Sequence, residues 1–169
     1  MPQTLLALGA ILAFAYFAFS QHQATADVEK SVVSAEYEHA AAEVGQSRLA
    51  AVTAYPFDEV DLHREGVRIS PSGLSTVGRD DGETAEAHFD DVDDFHAAPA
   101  RPVDVLWVGQ PLAFTDSVSV RYVDPATLAP VAGPSLAKEV TVFVRAVPVG
   151  WIGTPPIVAE LRQIVTPTR

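Results

Sequence analysis

The chain has 169 residues, a formal net charge of −11 and a sequence isoelectric point near 4.7. Such a field repels nucleic acid and anionic headgroups, so no nucleic-acid partner is expected. The absence of cysteine excludes disulfide staples and thiolate chemistry.

The first predicted element begins in MPQTLLALGAILAFAYFAFSQHQATADVEKS. No basic residue precedes Lys30 and no acidic one precedes Asp27, and Leu5 to Phe19 are all apolar or glycine. Three readings fit. A cleaved export signal would use the small residues Ala24 to Ala26, but the positive start of such a signal is missing. A membrane anchor needs about 20 apolar residues, which the uncharged stretch through Ala26 supplies, although the usual basic flank is absent.

The third reading follows the chain onward. Between Ser20 and Tyr55 there is no proline, and Gly45 is the single glycine. Ala, Glu, Gln and Val fill the interval, and they favour or tolerate helix. Val28, Val32, Ala35, Glu36/His39, Ala42, Leu49 and Val52 fall near helical spacing and form an Ala-rich stripe. Pro56 pushes Tyr55 away from the α region. One helix is therefore predicted from about Gln3 to about Tyr55, about 80 Å at the standard rise. Its first half is apolar all round and needs cover from lipid or from copies of itself. Its second half can pack on the rest of the chain.

After Pro56 the pattern changes to period two. Val103–Val108, Leu112–Val123, Glu139–Pro148 and Ile157–Thr166 read as strands. Val118, Val120 and Tyr122 alternate with Ser117, Ser119 and Arg121. Val140, Val142 and Val144 alternate with Thr141, Phe143 and Arg145. One covered and one polar face point to an antiparallel sheet. Asp124-Pro125, Gly133-Pro134 and the Gly150 to Pro156 stretch supply turns. The expected fold is α+β, a long N-terminal helix packed on a C-terminal antiparallel sheet head. The expected division is 1–55 for the helix, with 1–26 as its hydrophobic part, and 56–169 for the head.

Four stretches together resemble the type IV pilin-like family, which includes type IV pilins and type II secretion pseudopilins. These are the apolar helix that becomes amphipathic, QSRLAAVTAYPFDEV (Gln46–Val60), HFDDVDDFH (His88–His96), and the order SVSVRYVD, KEVTVFVRA, AELRQIV. The resemblance covers most of the chain. It implies a structural subunit of an extracellular, cell-surface helical filament, a homo-oligomer built by pilus or type II secretion machinery. It also implies residence in the inner membrane before assembly. The packing residues would be Met1, Leu5, Leu6, Leu8, Ile11, Leu12, Phe14, Tyr16, Phe17 and Phe19. Family members usually carry glutamate where this chain has Leu5; that carboxylate pairs with a neighbouring subunit's terminal amine, which would here need another partner or methylation. The same departure raises the alternative of a minor pilin or pseudopilin that primes or tips a fibre. Met1 before Pro2 carries the expectation of a short leader removed ahead of it.

The densest charge is Asp80-Asp81-Gly82-Glu83 followed by Asp90, Asp91, Asp93 and Asp94. Clustered carboxylates repel unless solvated or bridged, and calcium accepts six to eight oxygens. The last four aspartates are thus calcium candidates, although the spacing is not that of an EF-hand and a solvated acidic loop explains it better. A membrane-anchored, calcium-dependent binding domain is a further alternative. His88 and His96 flank the run, while Trp107 and Trp151 suit a core or a subunit contact. No phosphate loop, nucleophile elbow or His-Glu-x-x-His pattern occurs, and an enzyme is not expected.

Overall fold

The computed structural model describes residues 2–59, 70–107, 110–146 and 158–167. Helix α1 runs unbroken over Pro2–Val52. It closes as the sequence requires. The Thr53 amide and hydroxyl both donate to the Leu49 carbonyl at 2.9 Å, and the Tyr55 amide donates to Val52 at 3.2 Å. Pro56 follows and donates nothing. The helix ends three residues short of the expected Tyr55 because its last turn tightens into this cap.

The chain forms two compact units, Met1–Tyr37 and Glu38–Arg169. The expected boundary at 55/56 marks the end of the helical region. The units divide earlier, because the last turns of α1 belong to the head.

Within the head, α1 buries Ala40, Ala41, Val44, Arg48, Leu49 and Val52, a face at i, i+3, i+4 spacing. Leu49 and Val52 lie on it as expected. Val28 and Val32 do not; they are exposed, as is Ala35, while Ala42 is half-buried and His39 faces outward toward Glu43. Val28, Val32 and Ala35 belong to the first unit, Met1–Tyr37, and not to the head. At 100° per residue Ala42 points to a different side of the helix from the buried Ala41, Val44 and Arg48.

Four described strands follow: β1 Arg101–Trp107, β2 Gln110–Tyr122, β3 Lys138–Ala146 and β4 Val158–Val165. They form one antiparallel sheet in the order β1-β2-β3-β4, so each strand pairs with its neighbour in sequence. The register sets Val103 opposite Phe114, Val118 opposite Val142, and Val142 opposite Leu161. Pro102 is tolerated because β1 is an edge strand. The expected alternation holds: Leu112, Phe114, Val118, Val120 and Tyr122 are buried on β2, and Val140, Val142 and Val144 are 0% exposed on β3.

The helix and sheet meet closely at Gly45. A Cβ there would collide with Leu161 Cδ1 and lie 3.3 Å from Val144 Cγ2. A glycine in mid-helix costs about 1 kcal/mol against alanine; here the close approach explains its presence.

HFDDVDDFH forms part of this core. Phe89, Val92 and Phe95 recur every third residue and are all buried, a spacing that matches the 3₁₀ turn at Asp93–Phe95. Phe95 meets Tyr55 and Phe89 edge-on, each at 5.0 Å between ring centres. The Val92 amide donates to the Pro56 carbonyl at 3.0 Å, and the Ala97 amide to Val118 at 3.3 Å. A second cluster, Phe57, Leu74 and Tyr122, is flanked by Val77, Leu136 and Val165.

Candidate assembly segment and the charged centre of the head

The apolar start of α1 keeps its side chains outward. Leu5, Leu6, Leu8, Ile11, Leu12, Phe14, Tyr16, Phe17 and Phe19 are between 55% and 77% exposed, while Met1 lies outside the described residues. At 100° per residue these positions reach every side of the helix. The helix is long and apolar enough to cross a membrane. Burying one such side chain is worth about 1.5–3 kcal/mol, so the segment carries a large drive toward cover.

The head holds the opposite arrangement, charge in its interior. Lys138 and Asp58 are 0% exposed, Asp93 1% and Asp91 2%. Strand phase puts Lys138 there: it precedes Val140, Val142 and Val144 by even steps, on the core face. Its Nζ donates to Asp93 Oδ1 and, at 2.6 Å, to the Phe57 carbonyl. Asp58 Oδ2 lies 3.5 Å away. The rings of Phe57 and Tyr122 stand 4.6 and 5.2 Å from the ammonium. Ser75 fastens the carboxylates: its amide and hydroxyl each donate to Asp58 Oδ2 at 3.0 Å, and the hydroxyl reaches Asp93 Oδ2 at 3.3 Å. Tyr122 in turn donates to the Ser75 carbonyl at 2.9 Å. Burying an ion costs several kcal/mol, and this shell of contacts offsets it.

The four candidate calcium aspartates therefore do not converge on one point. Asp91 and Asp93 gather with Asp58, and Asp90 and Asp94 gather with Glu83; within each trio the oxygens lie within 4.8 Å of one another. In the first trio Lys138 supplies the positive charge. Asp91 Oδ1 accepts the amides of Asp93 and Asp94 at 2.8 and 3.3 Å. The second trio lies nearer the surface, where Asp94 Oδ2 accepts the amides of Asp90 and Asp91 at 2.9 and 3.1 Å.

Crowding of carboxyls shows in their proton affinity. Asp91 is pushed up to about 8, first by burial and then by the charge of Asp93. Glu83 is pushed up to about 7, first by burial and then by its hydrogen bond with Asp94. Glu59 reaches about 7, first through its hydrogen bond with Asp80. These are groups on which a proton or a cation relieves repulsion.

A second internal charge site spans helix, turn and sheet. Arg48, 4% exposed, donates to both Glu86 oxygens at 2.5 and 2.9 Å and stacks 5.1 Å from Phe95. Its Nε faces Asp116 Oδ1 at 3.3 Å without hydrogen-bond alignment. Arg101 holds the other Asp116 oxygen at 3.0 and 2.8 Å. The hydrogen bond from Arg48 holds the Glu86 carboxyl below its usual range.

Of the flanking histidines, His96 Nδ1 accepts the Val120 amide at 3.1 Å and serves the fold, whereas His88 is exposed. Trp107 is half-buried and Trp151 lies outside the described residues. Sequence reasoning missed Lys138, Asp58, Arg48 and Asp116. A usable signal existed: Lys138 and Asp116 each occupy an apolar phase of their strand.

No family model, curated protein or solved structure matches the chain. The long apolar helix with an antiparallel sheet is compatible with a pilin-like architecture and is not by itself diagnostic of one.

Proposed function

We propose that this chain is a structural subunit that polymerises through its apolar helix into an extracellular, type IV pilus-like filament. One observation carries the reading. Large apolar side chains cover every side of α1 from Leu5 to Phe19 and stay exposed, while the head completes its own core. A helix apolar all round is stable only inside lipid or among other apolar surfaces. Lipid serves before assembly, and neighbouring helices serve in the fibre. Copies packed head to tail without closing give an open helical polymer.

Substituting Leu12→Asp or Phe17→Asp in the full chain tests this. Loss of fibres under negative stain, with the head still folded, is the expected result. Normal fibres would refute a buried role for the segment. Leu5 supports a second reading, a minor pilin or pseudopilin that primes or tips a fibre, because the family's usual carboxylate is missing there. Mass spectrometry of purified fibres separates the two, since a major subunit is their bulk protein and a minor one a trace. A chain absent from fibres would instead be an anchored binding domain.

A further inference from the structure

We propose that Lys138 and Asp93 become covalently joined, Nζ to Cγ, by an amide that ties the 93–95 turn to the first residue of β3. The inference goes beyond the filament reading and is independent of it.

Four features of the centre carry it. The reacting groups are already neighbours: Lys138 Nζ contacts Asp93 Oδ1, an oxygen on the carbon it would attack. Both side chains are held from other directions, Nζ by the Phe57 carbonyl at 2.6 Å and Asp93 by the Ser75 hydroxyl at 3.3 Å. The site is dry, with Lys138 0% and Asp93 1% exposed beside the Phe57 and Tyr122 rings. Finally, carboxylates outnumber the ammonium. Asp58, Asp91 and Asp93 all converge within 4.8 Å, where an ordinary ion pair uses one. The extra two are placed to carry protons. Lys138 is one of only two lysines in the chain, and Lys30 lies on the exposed part of α1.

The chemistry balances without a cofactor. A proton leaves the Lys138 ammonium for the Asp93 carboxylate, giving a neutral amine beside a neutral acid. The Nζ lone pair attacks Asp93 Cγ, and a C–N bond forms. Asp58, 3.5 Å from Nζ, accepts the proton that nitrogen sheds. The Cγ–OH bond breaks, and the hydroxyl leaves as water with a proton from Asp91. Asp58 then returns its proton to Asp91 through solvent or the cluster, so acid and amine become amide and water. In water the separated ions are favoured. Here fixed orientation supplies an effective concentration on the order of 10⁵–10⁸ M, and the buried ions lose the solvation that would otherwise favour them.

Trypsin digestion and mass spectrometry of the full chain, purified in detergent, test the bond. The expected intact mass is one water below the processed sequence mass. Cleavage after Lys138 should fail, and peptides 80–121 and 122–145 should travel together with the bond placed between Asp93 and Lys138. Asp58→Asn and Asp91→Asn should each remove or slow the link while circular dichroism shows the head still folded. A full yield of unlinked peptide 122–138 from the wild-type chain would overturn the proposal, and that result needs no variant. A link to Asp58 in place of Asp93 would overturn the pairing. Full linkage in both Asn variants would overturn the proton-carrying roles.

Discussion

The start of α1 and the centre of the sheet are built from the same apolar residue types and place them oppositely. Phe14 and Tyr16 are 73% and 77% exposed, whereas Phe114 and Tyr122 are 0% and 4% exposed. Charge is reversed as well. The helix carries none from Gln3 to Ala26, while the head encloses Lys138, Asp58 and Asp93. The head satisfies its apolar surface internally and can therefore afford to enclose ions that fix its loops. The segment leaves its apolar surface exposed, where a charge would oppose burial in lipid or against other apolar surfaces.

The largest expected effect separates the two regions outright. An aspartate at position 12 or 17 costs about 2.5–3.5 kcal/mol for insertion at mid-bilayer and recurs in every subunit of a polymer. Assembly should be lost, while the head's melting temperature stays within error of wild type. A shift in head melting of several degrees would show that the regions are not independent.

Next in size is Lys138→Met. It removes the amide to Asp93, or the buried cation where that link has not formed, and leaves Asp58 and Asp93 facing each other. Breaking a buried pair in this way costs about 3–5 kcal/mol, read as a lower midpoint in chemical denaturation. Arg48→Met should cost less, because Arg101 still holds Asp116 and Glu86 reaches solvent. Insertion of the apolar segment into detergent or vesicles should not change in either variant.

Gly45 gives a smaller effect whose sign is decided by magnitudes. Gly45→Ala gains about 1 kcal/mol of helix propensity and presses a methyl on the terminal carbon of Leu161 and on Val144. Overpacking costs about 1–3 kcal/mol, and Leu161 is half-buried and free to give. The alanine variant should therefore be near neutral. Gly45→Val adds a second branch and loses propensity, so it should destabilise by about 2 kcal/mol. Pairing it with Leu161→Ala should recover part of that loss in a double-mutant cycle.

These sites also show what was legible beforehand. Strand alternation gave β1 to β4 nearly residue for residue, because a sheet with one covered face writes its pattern directly at period two. The end of the helix was legible in Pro56. The helix face was not, because spacing alone does not say which side or which turns of α1 the head buries: Val28 and Val32 keep the spacing and stay exposed. The acidic run was read as a surface loop or a single cation site. Its partner, Lys138, lies 45 residues further along the chain from Asp93, and no local pattern links the two. The clue was phase: a lysine in step with Val140, Val142 and Val144 must be inside, and an enclosed lysine needs carboxylates. The same argument applies to Asp116, in step with Phe114 and Val118, and to Arg48 on the buried face of α1.

The smallest expected effect is a slope with pH, and it sharpens the difference between enclosed and solvated carboxyls. Asp91, Glu83 and Glu59 all bind protons more tightly when folded, at about 8, 7 and 7. Between an unfolded carboxyl value of about 4 and these folded values the native head holds the extra protons, so its stability falls as pH rises. Glu86 works the other way, because its folded value is lowered by Arg48; its contribution is present at neutral pH and is lost on acidification. Head melting should therefore decline from about pH 5.5 to about 8.5, and Asp91→Asn should flatten that decline. Calcium offers a second route to the same relief at Glu83, Asp90 and Asp94, where a cation can replace the proton. Added calcium should then raise the melting temperature at pH 8 more than at pH 6, and Asp90→Asn should reduce the gain. An equal rise at both pH values would mean that calcium acts elsewhere than on these carboxyls.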